Sequence, residues 1–158
     1  SIHIKVLVMV VILKNLTQDN WKDCIKLKVN PDQENFVASN LYSIAEAQFK
    51  PGCTPLAVYD DEILVGFIMY ELDVMNQIKN TYFICRLMID STYQGRGYGR
   101  TAMLIVISRL KEYPDCQVIE TTYVPENTVA AKLYHSLGFV PTGDLEEGEI
   151  VVRLVIKN

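Results

Sequence analysis

Apolar residues recur along the chain with spacings that alternate between those of strands and those of helices. Residues 9–15 are predicted as a first strand, and Thr17 is placed to cap a helix that continues to about Leu27. Asp32 is placed to cap a second helix, from about residue 33 to residue 49. The apolar face predicted for this second helix consists of Phe36, Val37, Leu41, Ile44 and Ala45.

The rest of the chain continues the same alternation. It is predicted as strands at 55–60, 63–72, 80–89 and 116–124, helices at 99–113 and 125–138, and closing strands within 139–156. The first two of these strands are separated only by a tight turn, so they are expected to pair as a hairpin. Because neither a repeat nor a linker interrupts the pattern, residues 1–158 are predicted to form one α/β domain with a mixed sheet.

Composition narrows the range of partners. The formal net charge of −4 argues against nucleic acid as a partner. The four cysteines are widely spaced without a C-x-x-C pair, and the two histidines are far apart, so no metal site is expected. Cysteines in this pattern are typical of reduced thiols, and we therefore expect a cytoplasmic protein.

The N-terminal stretch SIHIKVLVMVVIL is apolar but too short to cross a bilayer, and Lys14 follows it at once. It has no small-residue cleavage site, which argues against a secretory signal peptide. We therefore expect no membrane partner. Met9 is an alternative start of the chain, in which case residues 1–8 are an N-terminal extension.

The stretch DSTYQGRGYGRTA (residues 90–102) lies between a predicted strand and a predicted helix. It contains three glycines and two arginines, which are Gly95, Gly97, Gly99, Arg96 and Arg100. Glycines allow the backbone to approach a phosphate closely, and a helix N-terminus adds unpaired N–H groups. The pattern favours a pyrophosphate-binding loop over a flexible turn. Neither a Walker A loop nor a dinucleotide fingerprint fits its spacing.

The spacing of Gln94, Gly95, Gly97 and Gly99 resembles the acetyl-CoA loop of the GNAT N-acetyltransferases. A second segment, ENTVAAKLYHSLGF (126–139), resembles the second signature of that family. The matching positions in it are Asn127, Ala130, Leu133, Tyr134, Gly138 and Phe139. The element order also matches from about Met9 onward. Three further segments, at 30–49, 65–73 and 86–100, are similar to the bacterial spermine/spermidine N-acetyltransferase branch.

This resemblance implies a GNAT-like domain with about six to seven strands in a mixed central sheet and about four flanking helices. It implies acetyl-CoA as cosubstrate, without a metal, and a small amine as the other substrate. The implied cofactor-binding residues are Leu87, Met88, Ile89, Gln94, Gly95, Arg96, Gly97, Tyr98, Gly99, Arg100, Asn127, Ala130 and Tyr134. The two strands at 80–89 and 116–124 are expected to separate and admit the pantetheine arm.

Tyr134 is the implied catalytic residue, because the resemblance places it beside the CoA sulfur, where a phenol donates a proton to the departing thiolate. The base that deprotonates the amine is open between Glu71, Glu120 and a chain of water molecules. Many members of the family carry a glutamate on the strand before the loop, where this chain has Cys85 and Arg86. Arg86 is expected to form an ion pair with Glu71 or Glu120.

A polyamine requires spaced carboxylates around an apolar slot. Glu34 and Glu46 are twelve residues apart on the predicted second helix, so their directions differ by about 120° and they cannot face one point. Glu46, Glu71 and Glu120 are therefore the predicted substrate-binding acids. The predicted activity is transfer of an acetyl group from acetyl-CoA to a primary amine of spermine or spermidine, by direct attack in a ternary complex.

Two alternatives remain open. One is an acetyltransferase for another amine, such as a protein N-terminus, a lysine, an amino acid or an antibiotic. The other is a CoA-binding module without catalysis. A homodimer through the apolar N-terminal strand or the C-terminal strands is also a possible assembly.

Overall fold

The computed structural model describes residues 8–72 and 80–156. Within these ranges the chain forms seven strands and four α-helices. In chain order they are β1 (Val11–Asn15), α1 (Trp21–Lys26), α2 (Asn40–Phe49), β2 (Cys53–Asp60), β3 (Ile63–Leu72), β4 (Thr81–Ile89), α3 (Tyr98–Lys111), β5 (Val118–Tyr123), α4 (Thr128–Ser136), β6 (Val140–Glu146) and β7 (Glu149–Val155). The predicted mixed sheet of six to seven strands with four helices is confirmed. The suggestion that residues 1–8 are an extension falls largely outside the described residues.

The seven strands form one sheet in the order β1-β2-β3-β4-β5-β7-β6. All neighbours are antiparallel except β4 and β5, which run parallel. The parallel pair is joined only from Thr81–Ile84 to Val118–Thr121, although β4 continues to Ile89 and β5 to Tyr123. The two strands therefore separate toward their C-terminal ends, as expected from the sequence.

Strand β4 carries a bulge immediately beside this separation. Its register against β3 steps from Arg86 opposite Met69 to Ile84 opposite Tyr70, which leaves Cys85 as the extra residue. The Cys85 thiol donates a hydrogen bond to the Met69 carbonyl oxygen at 3.4 Å. Because a bulge changes the direction of the side chains that follow it, it reorients β4 where the strand borders the gap.

The alternation of β3 shows how the helices cover both faces of the sheet. Ile68 belongs to the larger core cluster, which includes Met103 and Val106 of α3. Its neighbours Phe67 and Met69 belong to a second cluster, which includes Cys24 of α1. Successive side chains of a strand point to opposite faces. Helices α3 and α4 thus pack on one face, and α1 and α2 on the other.

The second helix begins later than predicted. Pro31–Gln33 is a 3-10 turn in which the Gln33 side chain accepts a hydrogen bond from the Asn30 N–H at 3.1 Å. Helix α2 starts at Asn40, where the Ser39 hydroxyl accepts from the Tyr42 N–H at 3.1 Å. The prediction took the signals around Asp32 as the start of the helix, whereas they belong to the separate turn. Residues 34–39 are consequently irregular.

The first helix also begins later than its predicted cap. The Thr17 hydroxyl accepts from the Asp19 N–H at 3.2 Å, and the Asn20 side chain accepts from the Thr17 N–H at 2.7 Å. These bonds close a turn before α1 starts at Trp21. The apolar face predicted for the second helix is wrong in part, because Leu41 and Ala45 are exposed.

Strands β1 and β6 are the two edges of the sheet. Ile12 on β1 and Val140 and Leu145 on β6 are exposed apolar residues. A homodimer through these edges stays a prediction. Among the residues that the structure describes, none of the helices combines the length and the apolar character needed to cross a membrane.

Candidate functional site

A cleft of about 1070 Å³ opens where β4 and β5 separate. One wall is the second half of β4, and the opposite wall is the end of β5 with the start of α4. The loop between β4 and α3 closes one end, and residues 33–38 with Glu147 and Glu149 contribute further parts of the lining. Ligand pockets are typically about 300–1,000 Å³, so the cleft has room for a large cofactor together with a small second substrate.

Twelve of the thirteen predicted cofactor-binding residues line this cleft. They are Leu87, Met88, Ile89, Gln94, Gly95, Gly97, Tyr98, Gly99, Arg100, Asn127, Ala130 and Tyr134. Arg96 is not in the lining. Its guanidinium donates a hydrogen bond to the Thr92 carbonyl oxygen at 3.3 Å and lies 5.6 Å from the centre of the Tyr93 ring. A role for Arg96 toward a cofactor stays a prediction.

The backbone of the glycine loop has the shape that a phosphate requires. Gly95 and Gly97 have φ angles of +76° and +89°, a conformation that favours glycine over residues with a Cβ. A Cβ built on Gly95 would meet no atom within 4 Å, so the loop backbone borders open space. Helix α3 begins directly afterwards, and the N–H groups of its first turn have no partners within the helix. The loop therefore fits an anionic group such as a pyrophosphate.

Two side chains of the loop are bound within the protein. The Gln94 amide donates to the Ile89 carbonyl oxygen and to the Gln33 Oε1, both at 2.9 Å. The Tyr98 hydroxyl donates to the Asp60 carboxylate, and this bond lowers the pKa of Asp60. These contacts join the loop to β4, to the turn before α2 and to β2. Their effect is to hold the loop backbone in place.

Helix α4 is positioned by a cap and by a contact with α3. The Asn127 side chain accepts from the Ala130 N–H at 3.2 Å, which satisfies a free donor of the first turn. The Arg100 guanidinium donates to the Ser136 hydroxyl at 2.6 Å, although both side chains are exposed. The two helices that flank the opening are thus connected at the surface.

Tyr134 lies on α4 and is only 6% exposed. Its ring packs between Tyr123 and Phe139, with centroid distances of 6.2 and 5.9 Å. Burial is the main reason that the pKa of Tyr134 is raised to about 12, and the charge of Glu149 adds to it. A hydrogen bond with Thr121 acts in the opposite direction. At neutral pH the side chain is therefore a protonated phenol that can donate.

The described residues place three carboxylates in the lining of the cleft, and none of them was among the predicted substrate-binding acids. They are Glu34, Glu147 and Glu149. Glu34 and Glu147 are exposed, whereas Glu149 is half-buried at the start of β7. Burial raises the pKa of Glu149, Arg86 lowers it, and the neighbouring Glu146 and Glu147 raise it. Only the pairing of β5 with β7 brings Glu149 to the cleft, and no local motif signals that pairing.

The three predicted acids are placed in ion pairs, outside the lining of the cleft. Glu46 lies 3.5 Å from Arg86, Glu71 lies 2.9 Å from Lys50, and Glu120 lies 2.6 Å from Arg153. The ion pair expected at Arg86 exists, but its expected partner was wrong, because Arg86 reaches Glu46 on α2 instead of Glu71 or Glu120. Arg86 itself lines the cleft. A role for the three acids toward a substrate stays a prediction.

Metal-ligating side chains do not cluster in the parts of the chain that the structure describes, where no three of His, Cys, Asp and Glu are grouped. The four cysteines are free thiols. Burial raises the pKa of Cys85, next to the cleft, to about 12, so its thiol is protonated and a poor nucleophile at neutral pH. The groups that the described residues offer for chemistry in the cleft therefore include the Tyr134 phenol, carboxylates and the guanidinium groups of Arg86 and Arg100.

Comparisons with known proteins agree with this geometry. The model of the acetyltransferase (GNAT) family matches residues 14–139. The chain is 30% identical over 145 residues to the spermine/spermidine N(1)-acetyltransferase of Bacillus subtilis (strain 168), covering 89% of this chain and 95% of that protein.

Solved structures with the same fold include two acetyltransferase complexes. Spermidine N-acetyltransferase from Vibrio cholerae, in complex with CoA and spermine, aligns with a TM-score of 0.71 at 20% identity, over 92% of this chain and 94% of that chain. An N-acetyltransferase from Thermoplasma acidophilum, in complex with coenzyme A, aligns with a TM-score of 0.69 at 17% identity, over 94% and 100%. At sequence identities of 17% and 20%, the similarity to these two structures shows a shared fold and nothing more.

Proposed function

The chain belongs to the acetyltransferase (GNAT) family of acetyl-CoA-dependent N-acetyltransferases, and on this premise we propose that its acceptor is a primary amine of a small polyamine such as spermidine or spermine. The observation that carries the proposal is a cleft of about 1070 Å³ lined by three carboxylates. The name of the Bacillus subtilis relative supports the same acceptor.

The charges around the cleft favour a polycation. Glu34, Glu147 and Glu149 contribute negative charge to the lining. Arg86 and Arg100 contribute positive charge there, but Glu46 lies 3.5 Å from Arg86, and Arg100 lies at the glycine-loop end of the cleft. Several separated amines match several separated carboxylates, whereas an uncharged or acidic acceptor gains nothing from them. Phe36 and Val37 add half-buried apolar surface, which suits the methylene segments between the amines.

The cofactor would be held by the residues that the sequence indicates. The loop backbone at Gly95 and Gly97 and the first turn of α3 fit the pyrophosphate, and Arg100 lies at the same opening. No strand among the described residues pairs with the second half of β4 on the side of the gap, so this half would bind the pantetheine arm through its backbone. Acetyl-CoA supplies the activated acetyl group as a thioester.

Tyr134 is the proposed proton donor to the departing thiolate. Its burial in the cleft and its pKa of about 12 keep the phenol protonated at neutral pH. A CoA thiolate has the basicity of an ordinary thiol, with a pKa of about 8.5, and is stabilised by such a donor at the moment of departure. Tyr134 therefore acts as a general acid.

A panel of amines tests which class of amine the enzyme acetylates. Release of free CoA is measured with purified protein, acetyl-CoA and, separately, spermine, spermidine, lysine, kanamycin and a mixed peptide pool. We expect kcat/KM to be largest for the two polyamines. Because exposed carboxylates contribute through screened charge, we also expect the KM for spermidine to rise with salt.

Other results would change the proposal in different ways. Turnover on peptides or kanamycin without turnover on polyamines would overturn the acceptor and leave the family assignment intact. Binding of acetyl-CoA without turnover on any amine would favour a CoA-binding module. A KM for spermidine that does not respond to salt would argue against the carboxylates as binding groups.

A further inference from the structure

The reaction requires a proton acceptor for the amine, and neither the loop at 94–100 nor the segment at 126–139 contributes a carboxylate to the described lining of the cleft. A primary amine has a pKa of about 10 and is protonated at neutral pH, and a protonated amine has no electron pair for attack. Strand β4 has Cys85 and Arg86 beside the cleft. The Cys85 thiol and the Arg86 guanidinium both carry protons at neutral pH, so neither can accept one.

Glu149 is the carboxylate whose position suits this task. It is the first residue of β7, at the end of the ladder in which Ile150 pairs with Tyr123. It lines the same cleft as Tyr134, and its charge acts on the pKa of that phenol. It is also half-buried, in contrast to the exposed Glu34 and Glu147.

The charged and titratable groups that act on Glu149 lie on β4, on the β6–β7 hairpin and on α4. The positive charge of Arg86 on β4 favours the ionised form of Glu149, whereas Glu146 at the end of β6 and Glu147 in the β6–β7 turn favour its protonated form. Tyr134 on α4 faces it as a neutral phenol. Burial dominates this balance, so the pKa lies above the ordinary value of a glutamate. A base is most effective when its pKa approaches the working pH.

We propose that the Glu149 carboxylate is the general base that takes the proton from the acceptor ammonium in the cleft. One N–H bond breaks, one O–H bond forms on Glu149, and the amine gains its free electron pair. The nitrogen then forms the amide bond to the acetyl carbon while the carbon–sulfur bond breaks, and Tyr134 gives its proton to sulfur. The second proton lost by nitrogen restores Tyr134, and Glu149 releases its proton to water.

The other acids of the sequence prediction are less suited to this role. Glu71 accepts hydrogen bonds from the Cys53 thiol and from Lys50, at 3.2 and 2.9 Å. Glu120 accepts two hydrogen bonds from Arg153, at 2.6 and 2.9 Å. Both carboxylates are thus engaged by cations, and neither belongs to the described lining of the cleft.

The test is the pH dependence of kcat/KM for the Glu149→Gln variant with spermidine. At pH 7 we expect about a 100-fold loss of kcat/KM, with an unchanged KM for acetyl-CoA. The loss should shrink as the pH approaches about 10, where the free amine is abundant without a base. A purely structural role of Glu149 would instead lower the rate by the same factor at every pH.

Two further variants keep the proposal falsifiable. Asp144→Asn, on the same β6–β7 hairpin but exposed and outside the lining of the cleft, is the matched control and should retain near-normal turnover. Glu149→Asp should recover part of the activity, because it keeps the carboxylate. A Glu149→Gln enzyme with wild-type kcat/KM at pH 7, or a constant loss across the pH range, would overturn the role of Glu149 as a base.

The inference rests on the proposed function only in the choice of spermidine. If the panel identifies another amine as the acceptor, the same variants are measured with that amine, and the polyamine proposal fails without affecting this one. If spermidine is the acceptor and Glu149→Gln matches the wild type, the base is overturned and the acceptor stands.

Discussion

The proposed cofactor side and the proposed acceptor side of the cleft are built in different ways. On the cofactor side, the loop at 94–100 and helix α4 are each continuous in sequence, and each brings several lining residues. On the acceptor side, Glu34 comes from the irregular segment before α2 and Glu149 from the start of β7. The first side depends on local conformation, and the second on long-range pairing. This difference determines what a sequence reveals about an enzyme of this kind.

The cofactor side could be predicted from the sequence because the backbone conformations and the helix cap that it requires depend on residues that are neighbours in the chain. Positive φ angles at Gly95 and Gly97 demand glycine, and the cap of α4 demands a residue such as Asn127. A strand before the loop and a helix after it follow from periodicity. The family resemblance that rests on these local motifs implied thirteen cofactor-binding residues, and twelve of them line the cleft.

The acceptor side could not be predicted from the sequence, and the reasons for this are also physical. Two capping signals lie within ten residues of each other, at Asn30 and Ser39, and the sequence does not show which of them starts α2. Placing Glu149 requires the register of β7 on β5 and the point at which β5 leaves β4. Glu46, Glu71 and Glu120 were plausible acids by composition, but their ion-pair partners lie far away in sequence.

The largest expected effect comes from Tyr134, which lies where the two sides meet. Tyr134→Phe should lower kcat by about 100-fold, because the departing thiolate loses its proton donor. The Kd for acetyl-CoA should stay near the wild-type value, since the ring and its packing are kept. Steady-state kinetics and calorimetric titration with acetyl-CoA measure the two quantities.

The control for this variant is Tyr42→Phe, which removes a hydroxyl from an exposed tyrosine on α2. It should leave kcat unchanged. A Tyr134→Phe enzyme with an unchanged kcat across a pH series would remove Tyr134 from the mechanism.

The cofactor side can be perturbed alone through Gly95. Gly95→Ala forces a methyl group onto a residue with a φ of +76°, at a cost of about 1–2 kcal/mol in stability. Because the methyl group also enters the space that the loop borders, we expect about a tenfold higher Kd for acetyl-CoA. The KM for spermidine should change much less.

Gly143→Ala provides a matched comparison for this experiment. Gly143 has a φ of +89°, lies on β6, and offers a Cβ equally open space, but it does not line the cleft. It should lower the melting temperature as Gly95→Ala does and leave the Kd for acetyl-CoA unchanged. Equal effects of the two variants on Kd would mean that the loop does not contact the cofactor.

The smallest effect is expected on the acceptor side, at Glu34. Glu34→Gln should raise the KM for spermidine about two- to fivefold at low salt, because an exposed charge contributes little. The Kd for acetyl-CoA should be unaffected. Glu62→Gln, at an exposed acid in the β2–β3 turn, controls for the change in net charge. If Glu120→Gln raised this KM more than Glu34→Gln, the acids predicted from the sequence would be the better assignment.

The separation of β4 from β5 also has a consequence for the stability of the folded chain. In the described parts of the chain, only four residue pairs of the β4–β5 ladder connect the half of the sheet that holds β1–β4 with the half that holds β5–β7. Open backbone along a gap in a sheet is the place where an extended molecule gains hydrogen bonds by acting as an extra strand. Any ligand that binds only the folded chain there raises its unfolding free energy, by about 2.7 kcal/mol at a hundred times its Kd. A ligand that occupies the gap between β4 and β5 would thus reinforce the sheet at its weakest connection, more strongly as its concentration rises above its Kd.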